Sequence, residues 1–302
     1  MRSLFLFLSR QRHLRRWAET SGLARRVSSR FVAGETLEDA LRVGRQINSE
    51  GIGITVDHLG ESVTSLEEAA QARDVYLRAF SALHENGIQG NVSLKLTQFG
   101  LDLSPEECRA NVALLAERAA AAGGFIRVDM ESSEYTERTL RLVEDLHAQY
   151  GSVGTVIQAY LYRSQQDVER LCARRIRIRL CKGAYLEPAS VAYPRKADVD
   201  RNFVNLMKNL MDQGEYPAIA THDEKIIEQT KNYAAKCNRS PEQFEFQMLY
   251  GIRRDLQRQL VAQGYRLRLY VPFGKAWYPY LMRRLAERPA NVFFIARNLI
   301  RQ

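Results

Sequence analysis

In several short runs of this chain polar and apolar residues alternate one by one, and in the stretches between them apolar residues recur every three or four positions. The first pattern is that of a strand with two unlike faces. The second is that of a helix with one apolar side. RIRIRL sets Arg175, Arg177 and Arg179 against Ile176, Ile178 and Leu180, and YRLRLY sets Arg266, Arg268 and Tyr270 against Leu267 and Leu269. SLKLT sets Ser93, Lys95 and Thr97 against Leu94 and Leu96. FIRVDM opposes Arg127 and Asp129 to Ile126 and Val128, and FEFQML opposes Glu245 and Gln247 to Phe244 and Phe246. With GIGITVDHLGE, GTVIQAYLY and YPAIATHDE these make eight strand-like runs. Helical patterns such as SLEEAAQARDVYLRAFSALHENG, SPEECRANVALLAERAAAAG, TERTLRLVEDLHAQYG and SQQDVERLCARR lie between them, and TLEDALRVGRQINSEG reads as a helix ending near Gly51. Strands separated by helical crossovers predict an α/β fold, a closed parallel (βα)8 TIM-type barrel. An open doubly wound sheet would also alternate, but no GxGxxG follows any strand.

Buried parallel strands ordinarily read as unbroken Val, Ile and Leu. Here the apolar set must meet the outer helices, so the charged set must point into the barrel. Buried charge is costly unless it is paired or meets a ligand. Arg127, Arg175 and Glu245 are expected low in the barrel, in an internal ion-pair network. The other polar positions fall at the C-terminal strand ends, where barrels of this kind carry their chemistry. They are Lys95, Asp129, Arg179, the KGAY turn at 182–185, the THD run at 221–223, and Tyr270. Lys95 and Asp129, of opposite charge at neighbouring strand ends, are expected to pair. This lining predicts a polar pocket for a charged, partly phosphorylated ligand.

Near the end of the chain, FGKAWYPYLMRRLAERPAN reads as a helix with Pro279 in its first turn and Pro289 where it should stop. Tyr280, Arg283, Arg284 and Glu287 share one face, while Leu281, Met282 and Leu285 cover the side that packs. Two adjacent arginines over a barrel mouth suit a carboxylate, which their planar forks hold in bidentate fashion. Read alone, the face equally suits a solvent-facing charged helix.

Composition adds three things. The chain has 302 residues, 45% of them hydrophobic and 26% charged, enough for one large globular domain. The net charge of +9 is uneven: residues 1–30 hold eight arginines and one glutamate, so +7 sits in an arm and +2 in the rest. The arm suits an anionic membrane surface, a nucleic acid, or a helix packed on the domain by its Leu and Phe residues. Its apolar part is too short for a signal peptide or a spanning helix. The boundary is drawn at residue 45, with the helical arm at 1–45 and the barrel at 46–302. Cys108, Cys172, Cys181 and Cys237 form no CxxC and no zinc spacing, and point to free thiols in a reducing, cytoplasmic setting. The histidines form neither HxH nor HExxH, so no metal site is expected.

SLKLTQFG, RVDMESSEYT, VIQAYL, RIRLCKGAYLEP, IATHDE, FEFQMLYG and YVPFGKAWYPYLMRRLAERPAN occur in that order. Together they resemble the proline dehydrogenase family, in its monofunctional bacterial form and as a module of proline utilisation A, from about residue 50 to the end. The resemblance implies a distorted (βα)8 barrel with the final helix over its mouth and a bound FAD. It implies oxidation of L-proline to Δ1-pyrroline-5-carboxylate, the first step towards glutamate, with electrons passed to a membrane quinone. Peripheral attachment to the inner membrane face and a downstream pyrroline-5-carboxylate dehydrogenase follow as partners, and nucleic acid does not. By matching position, Arg283, Arg284 and Lys95 hold the substrate carboxylate, Tyr280 walls the ring, Tyr270 and Leu249 also bind substrate, and Glu287 steadies an arginine. Asp129 organises the substrate site, with Arg179 beside the reactive flavin edge. Met130, Gln158, Lys182, Gly183, Ala184, Tyr185, Thr221 and His222 match cofactor contacts. The family often has Asn where this chain has Asp223, which argues against a direct pyrophosphate contact there. His58 and Tyr160 read as packing residues. Set apart from the resemblance, two rivals stand: a Schiff-base barrel enzyme using Lys95 or Lys182, and a non-catalytic surface binder working through the arm.

Overall fold

The computed structural model describes residue 21, residues 28–60 and residues 62–287, with 283–287 as helical backbone. Most of the arginine-rich arm and Pro289 fall outside these residues. Eight parallel strands close into a barrel in the order β1 to β8, each paired with its sequence neighbour and β8 paired with β1. They are β1 (Gly53–His58), β2 (Gly90–Leu94), β3 (Ile126–Val128), β4 (Val153–Gln158), β5 (Ile178–Cys181), β6 (Ala218–Ala220), β7 (Glu245–Leu249) and β8 (Leu267–Phe273). The outer helices are α1 (Leu37–Ser49), α2 (Leu66–Glu85), α3 (Pro105–Ala121), α4 (Thr136–Tyr150), α5 (Ser164–Ala173), α6 (Lys196–Gln213), α7 (Glu224–Lys236) and α8 (Arg254–Ala262). A further helix, α9 (Trp277–Glu287), follows β8.

Local chemistry starts and stops these helices. Thr36 and Asp39 form a capping box on α1, Ser65 caps α2, and Ser104 with Pro105 opens α3. Gly151 closes α4 in the left-handed conformation, φ 70°. Period-two alternation then sorts the strand residues. Ile54, Val56, Val92, Leu94, Ile126 and Val128 are fully buried and join one apolar cluster with Tyr76, Phe80 and Leu83 of α2. Helix α1 crosses residue 45 and buries Ala40, Leu41, Val43 and Ile47 in that same cluster, so the backbone on both sides of the expected boundary packs as barrel.

The polar set points inward, with one correction. Arg127 is 2% exposed and donates to the Thr155 carbonyl at 2.9 Å, and Glu245 pairs with Arg268 at 2.9 Å. Arg175 does not join them. It lies outside the barrel in a left-handed turn (φ 56°), 81% exposed, paired with Glu215. Arg177 and Arg266 are exposed as well, stacking on Phe125 or Tyr216. The reason is that β5 begins only at Ile178 and β8 at Leu267. Below those points a long guanidinium reaches water, at far lower cost than burial.

Helix α9 closes one side of the C-terminal mouth. Trp277, Tyr278, Tyr280 and Leu281 are buried together with Phe31, Val32, Leu59 and Ile252. The 28–34 segment holds this lid from behind. The Ala33 N–H donates to the Pro272 carbonyl, and the Gly274 N–H to the Gly34 carbonyl. At Gly251, φ is 76° and a Cβ would come within 1.8 Å of the Arg30 carbonyl oxygen, so only glycine permits the approach.

Candidate active site

A cavity of ≈ 720 Å³ opens at the C-terminal ends of the strands, beneath α9. That is room for a nucleotide-sized ligand. Asp129, just past β3, is its best-anchored acid. Its Oδ1 accepts from Arg179 Nη1 at 2.9 Å and from the Ser93 hydroxyl, and its Oδ2 accepts from the Tyr270 hydroxyl at 2.9 Å. Three strand ends meet in this carboxylate because β2, β5 and β8 each turn a polar residue inward by the same period-two rule. The Arg179 guanidinium lies over the Tyr270 ring, 5.2 Å from its centroid. Burial, then the charges of Asp129 and Asp57, push the Tyr270 hydroxyl well above its ordinary range, which keeps it a donor.

A polar column descends from this point. Arg179 Nε donates to Gln247 Oε1 at 2.5 Å, and Gln247 Nε2 donates to Glu245, the partner of Arg268. Burial alone would raise the Glu245 carboxyl, but the Arg268 charge outweighs it and holds the group below the ordinary range.

Lys95 does not pair with Asp129. Its ammonium donates to Asp57, at 3.1 Å to Oδ1 and 3.4 Å to Oδ2. Strand β2 ends at Leu94, so Lys95 starts the turn and leans to β1, while Asp129 is already taken by Arg179, Ser93 and Tyr270. Asp57 was missed in the sequence although its signal was there: in ITVDH, Thr55 and Asp57 alternate with Ile54 and Val56 like the other inward sets.

The remaining expected residues lie on the other wall. Gln158, at the end of β4, donates from Nε2 to the carbonyls of Met130 at 3.1 Å and Glu131 at 3.3 Å. Gly183 has φ 121°, and a Cβ there would meet the Tyr160 ring at 2.5 Å, so the KGAY backbone turns tightly over that ring. Lys182 is held by Asp200 at 2.5 Å and Asp223 at 3.0 Å. Asp223 also caps α7 through the Lys225 N–H at 3.2 Å. Burial would raise its carboxyl, but Lys182 keeps it below the ordinary value. Thr221 accepts from the Asp223 N–H at 3.1 Å, and His222 Nε2 accepts from the Leu249 N–H at 3.0 Å, which places the ring proton on Nδ1. Ala184, Tyr185, Leu249 and Tyr280 line the cavity too. Arg283, Arg284 and Glu287 belong to α9, but their side chains lie outside the described residues. Among the described residues no group of three or more His, Cys, Asp or Glu could hold a metal ion.

The comparisons with known proteins agree on one family. A family model described as proline dehydrogenase matches residues 40–297. Proline dehydrogenase 1 of Bacillus subtilis strain 168 is 40% identical over 302 residues, 100% of both chains. Proline dehydrogenase of Deinococcus radiodurans is 42% identical over 280 residues, 91% of this chain and 90% of that one. Among solved structures, proline utilization A from Bdellovibrio bacteriovorus, inactivated by N-propargylglycine, superposes with a TM-score of 0.82 at 27% identity, over 87% of this chain and 32% of the longer one. The chain therefore belongs to the proline dehydrogenase family, and its reaction is the oxidation of proline that opens proline catabolism.

Proposed function

We propose that the chain oxidises L-proline to Δ1-pyrroline-5-carboxylate with a bound FAD, and that the electrons pass on to a membrane quinone. One observation carries the cofactor reading. Gln158 and Arg179 both line the cavity, and among the described residues Gln158 Oε1 and Arg179 Nη2 are buried without a hydrogen-bond partner. A buried acceptor and a buried donor left open in one cavity call for a ligand with the complementary edge. The isoalloxazine of a flavin has donors and acceptors in one plane. When bound, the flavin supplies the two-electron acceptor for the hydride leaving the ring carbon next to nitrogen.

The chain's own residues then bind, orient and shield. Lys95, with Arg283 and Arg284 from the lid, holds the substrate carboxylate, and Glu287 steadies an arginine. Tyr280, Leu249 and Tyr270 wall the pyrrolidine ring. Asp129 fixes Arg179 beside the reacting region, where a fixed positive charge favours the reduced, anionic form of the cofactor. Met130, the 182–185 turn, Thr221 and His222 supply further cofactor contacts. Asp223 serves the cofactor through Lys182 rather than directly. The Schiff-base alternative needs an uncharged lysine amine. Lys95 and Lys182 are instead both held in ion pairs with carboxylates.

The test is optical. The purified protein is expected to be yellow and to bleach under anaerobic conditions on addition of L-proline. N-propargylglycine is expected to inactivate it with time, and a tetrahydrofuran carboxylic acid to protect it. Colourless protein from flavin-replete cells, active or not, would reject the flavin reading.

A further inference from the structure

The β1–β2 ladder pairs Ile54, Thr55 and Val56 with Gly90, Asn91 and Val92, whereas on its other edge β1 stays paired with β8 as far as His58. Beyond Val56, therefore, β1 and β2 part at the mouth of the barrel. The hydroxyl of Tyr76 fills this gap from α2, outside the barrel. The His58 N–H donates to it at 3.2 Å, where a ladder bond would otherwise lie. Its own proton has three acceptors in reach: Asp57 Oδ1 at 3.1 Å, the His58 carbonyl at 3.3 Å and Gln98 Oε1 at 3.4 Å. A hydroxyl has one proton, and the ionised acceptor makes the stronger bond. The hydroxyl therefore donates to Asp57. The same Oδ1 receives the Lys95 ammonium at 3.1 Å. Asp57 lines the cavity yet is only 1% exposed, so this bond lies largely out of bulk water.

We infer that Tyr76 is a positioning residue for substrate: through Asp57 it fixes the Lys95 ammonium where the substrate carboxylate docks. This rests on the proposed role of Lys95 as a carboxylate ligand. Burial, reinforced by Asp57, raises the Tyr76 hydroxyl well above its ordinary range, so it remains a donor throughout the working pH range. Without that bond the Asp57 carboxylate is free to rotate, and the lysine stem, with several rotatable bonds, spreads over more positions.

The experiment is a double-mutant cycle on the flavin-loaded enzyme. Tyr76→Phe keeps the ring and removes only the hydroxyl. It is expected to raise the KM for L-proline and the Kd of tetrahydrofuran-2-carboxylate together, about three- to tenfold, with kcat within about twofold of the parent. In a Lys95→Met background the same change is expected to add nothing to either constant. An equal rise in both backgrounds, or native constants in Tyr76→Phe, overturns the inference. Native constants in Lys95→Met alone overturn the carboxylate role of Lys95, so the two failures are distinguishable. If Tyr76→Phe does not accumulate as folded protein, Asp57→Asn in the same two backgrounds decides. It should weaken both constants at least as much beside Lys95 and cause no further loss beside Met.

Discussion

Asp129 is the point where Ser93, Arg179 and Tyr270 meet in the cavity. Arg179 is 8% exposed and Asp129 13%, so their ion pair is well removed from water. Removing one partner of such a pair costs about 2–5 kcal/mol, much of it from the charge left uncompensated. Asp129→Asn keeps the shape and removes the charge. Its kcat/KM for L-proline is expected to fall at least about thirtyfold. Flavin content measured on the same sample decides the role. Unchanged flavin places the loss in substrate handling, whereas flavin lost in proportion to activity makes Asp129 a cofactor anchor. The residue was legible in the sequence through FIRVDM, but its partner was not. Strand alternation tells which way a side chain points and not which neighbour it reaches. That depends on where each strand ends: at Leu94 for β2, one residue before Lys95.

At the scale of elements, α4 and α5 are fastened by charge. Glu137 on α4 accepts from Arg163 at 2.6 Å, from Arg170 at 3.2 Å and from Arg141 at 2.9 Å. The hydrogen bond from Arg163, then that from Arg141, lower its carboxyl from 4.5 to about 2. A carboxyl lowered by folding stabilises the native state above its unfolded value and loses that contribution as pH falls from about 4.5 towards about 2. Glu137 is 38% exposed, so solvent screening limits the contribution to about 1 kcal/mol. Glu137→Gln is therefore expected to lower the urea midpoint at about pH 6 and to match the parent near pH 2. A difference that persists undiminished into acid would show that shape, not charge, joins the two helices. The helices themselves were readable, because caps such as Ser65 and Ser104 and stops such as Gly151 are local signals. The ion pairs between them were not, since they join residues of separate helices.

For the molecule as a whole, the basic arm and the barrel pose separate questions. Among the described residues no helix is long and apolar enough to cross a membrane. Residues 1–30 carry +7 of the net +9. Each basic residue near an anionic leaflet contributes about 1 kcal/mol to attachment. A cut after residue 27 removes seven of the eight arginines and leaves Arg30, Phe31 and Val32 packed behind α9. The truncated enzyme is expected to lose sedimentation with anionic vesicles while keeping activity with a soluble dye acceptor. Equal sedimentation of both forms removes the arm from membrane binding. Activity lost together with flavin assigns the arm to packing.

The sequence by itself determined the strand count, the order of strands and helices, and the presence of charge inside the barrel. Each of these rests on a periodicity of two or of three to four, written in neighbouring residues. It also marked Arg127 and Glu245 as interior, and both positions do lie within the paired ladder, where alternation holds. It placed Arg175 inside by the same rule, and the closed barrel put it in water, since alternation has no meaning before a strand begins. Only the tertiary structure decided that Lys95 answers to Asp57, that Asp129 gathers Ser93, Arg179 and Tyr270, and that Tyr76 reaches Asp57 from an outer helix. Those contacts join residues 19 to 141 positions apart. Barrel closure and the parting of β1 from β2 bring them within hydrogen-bonding distance, and no local pattern in the chain encodes either.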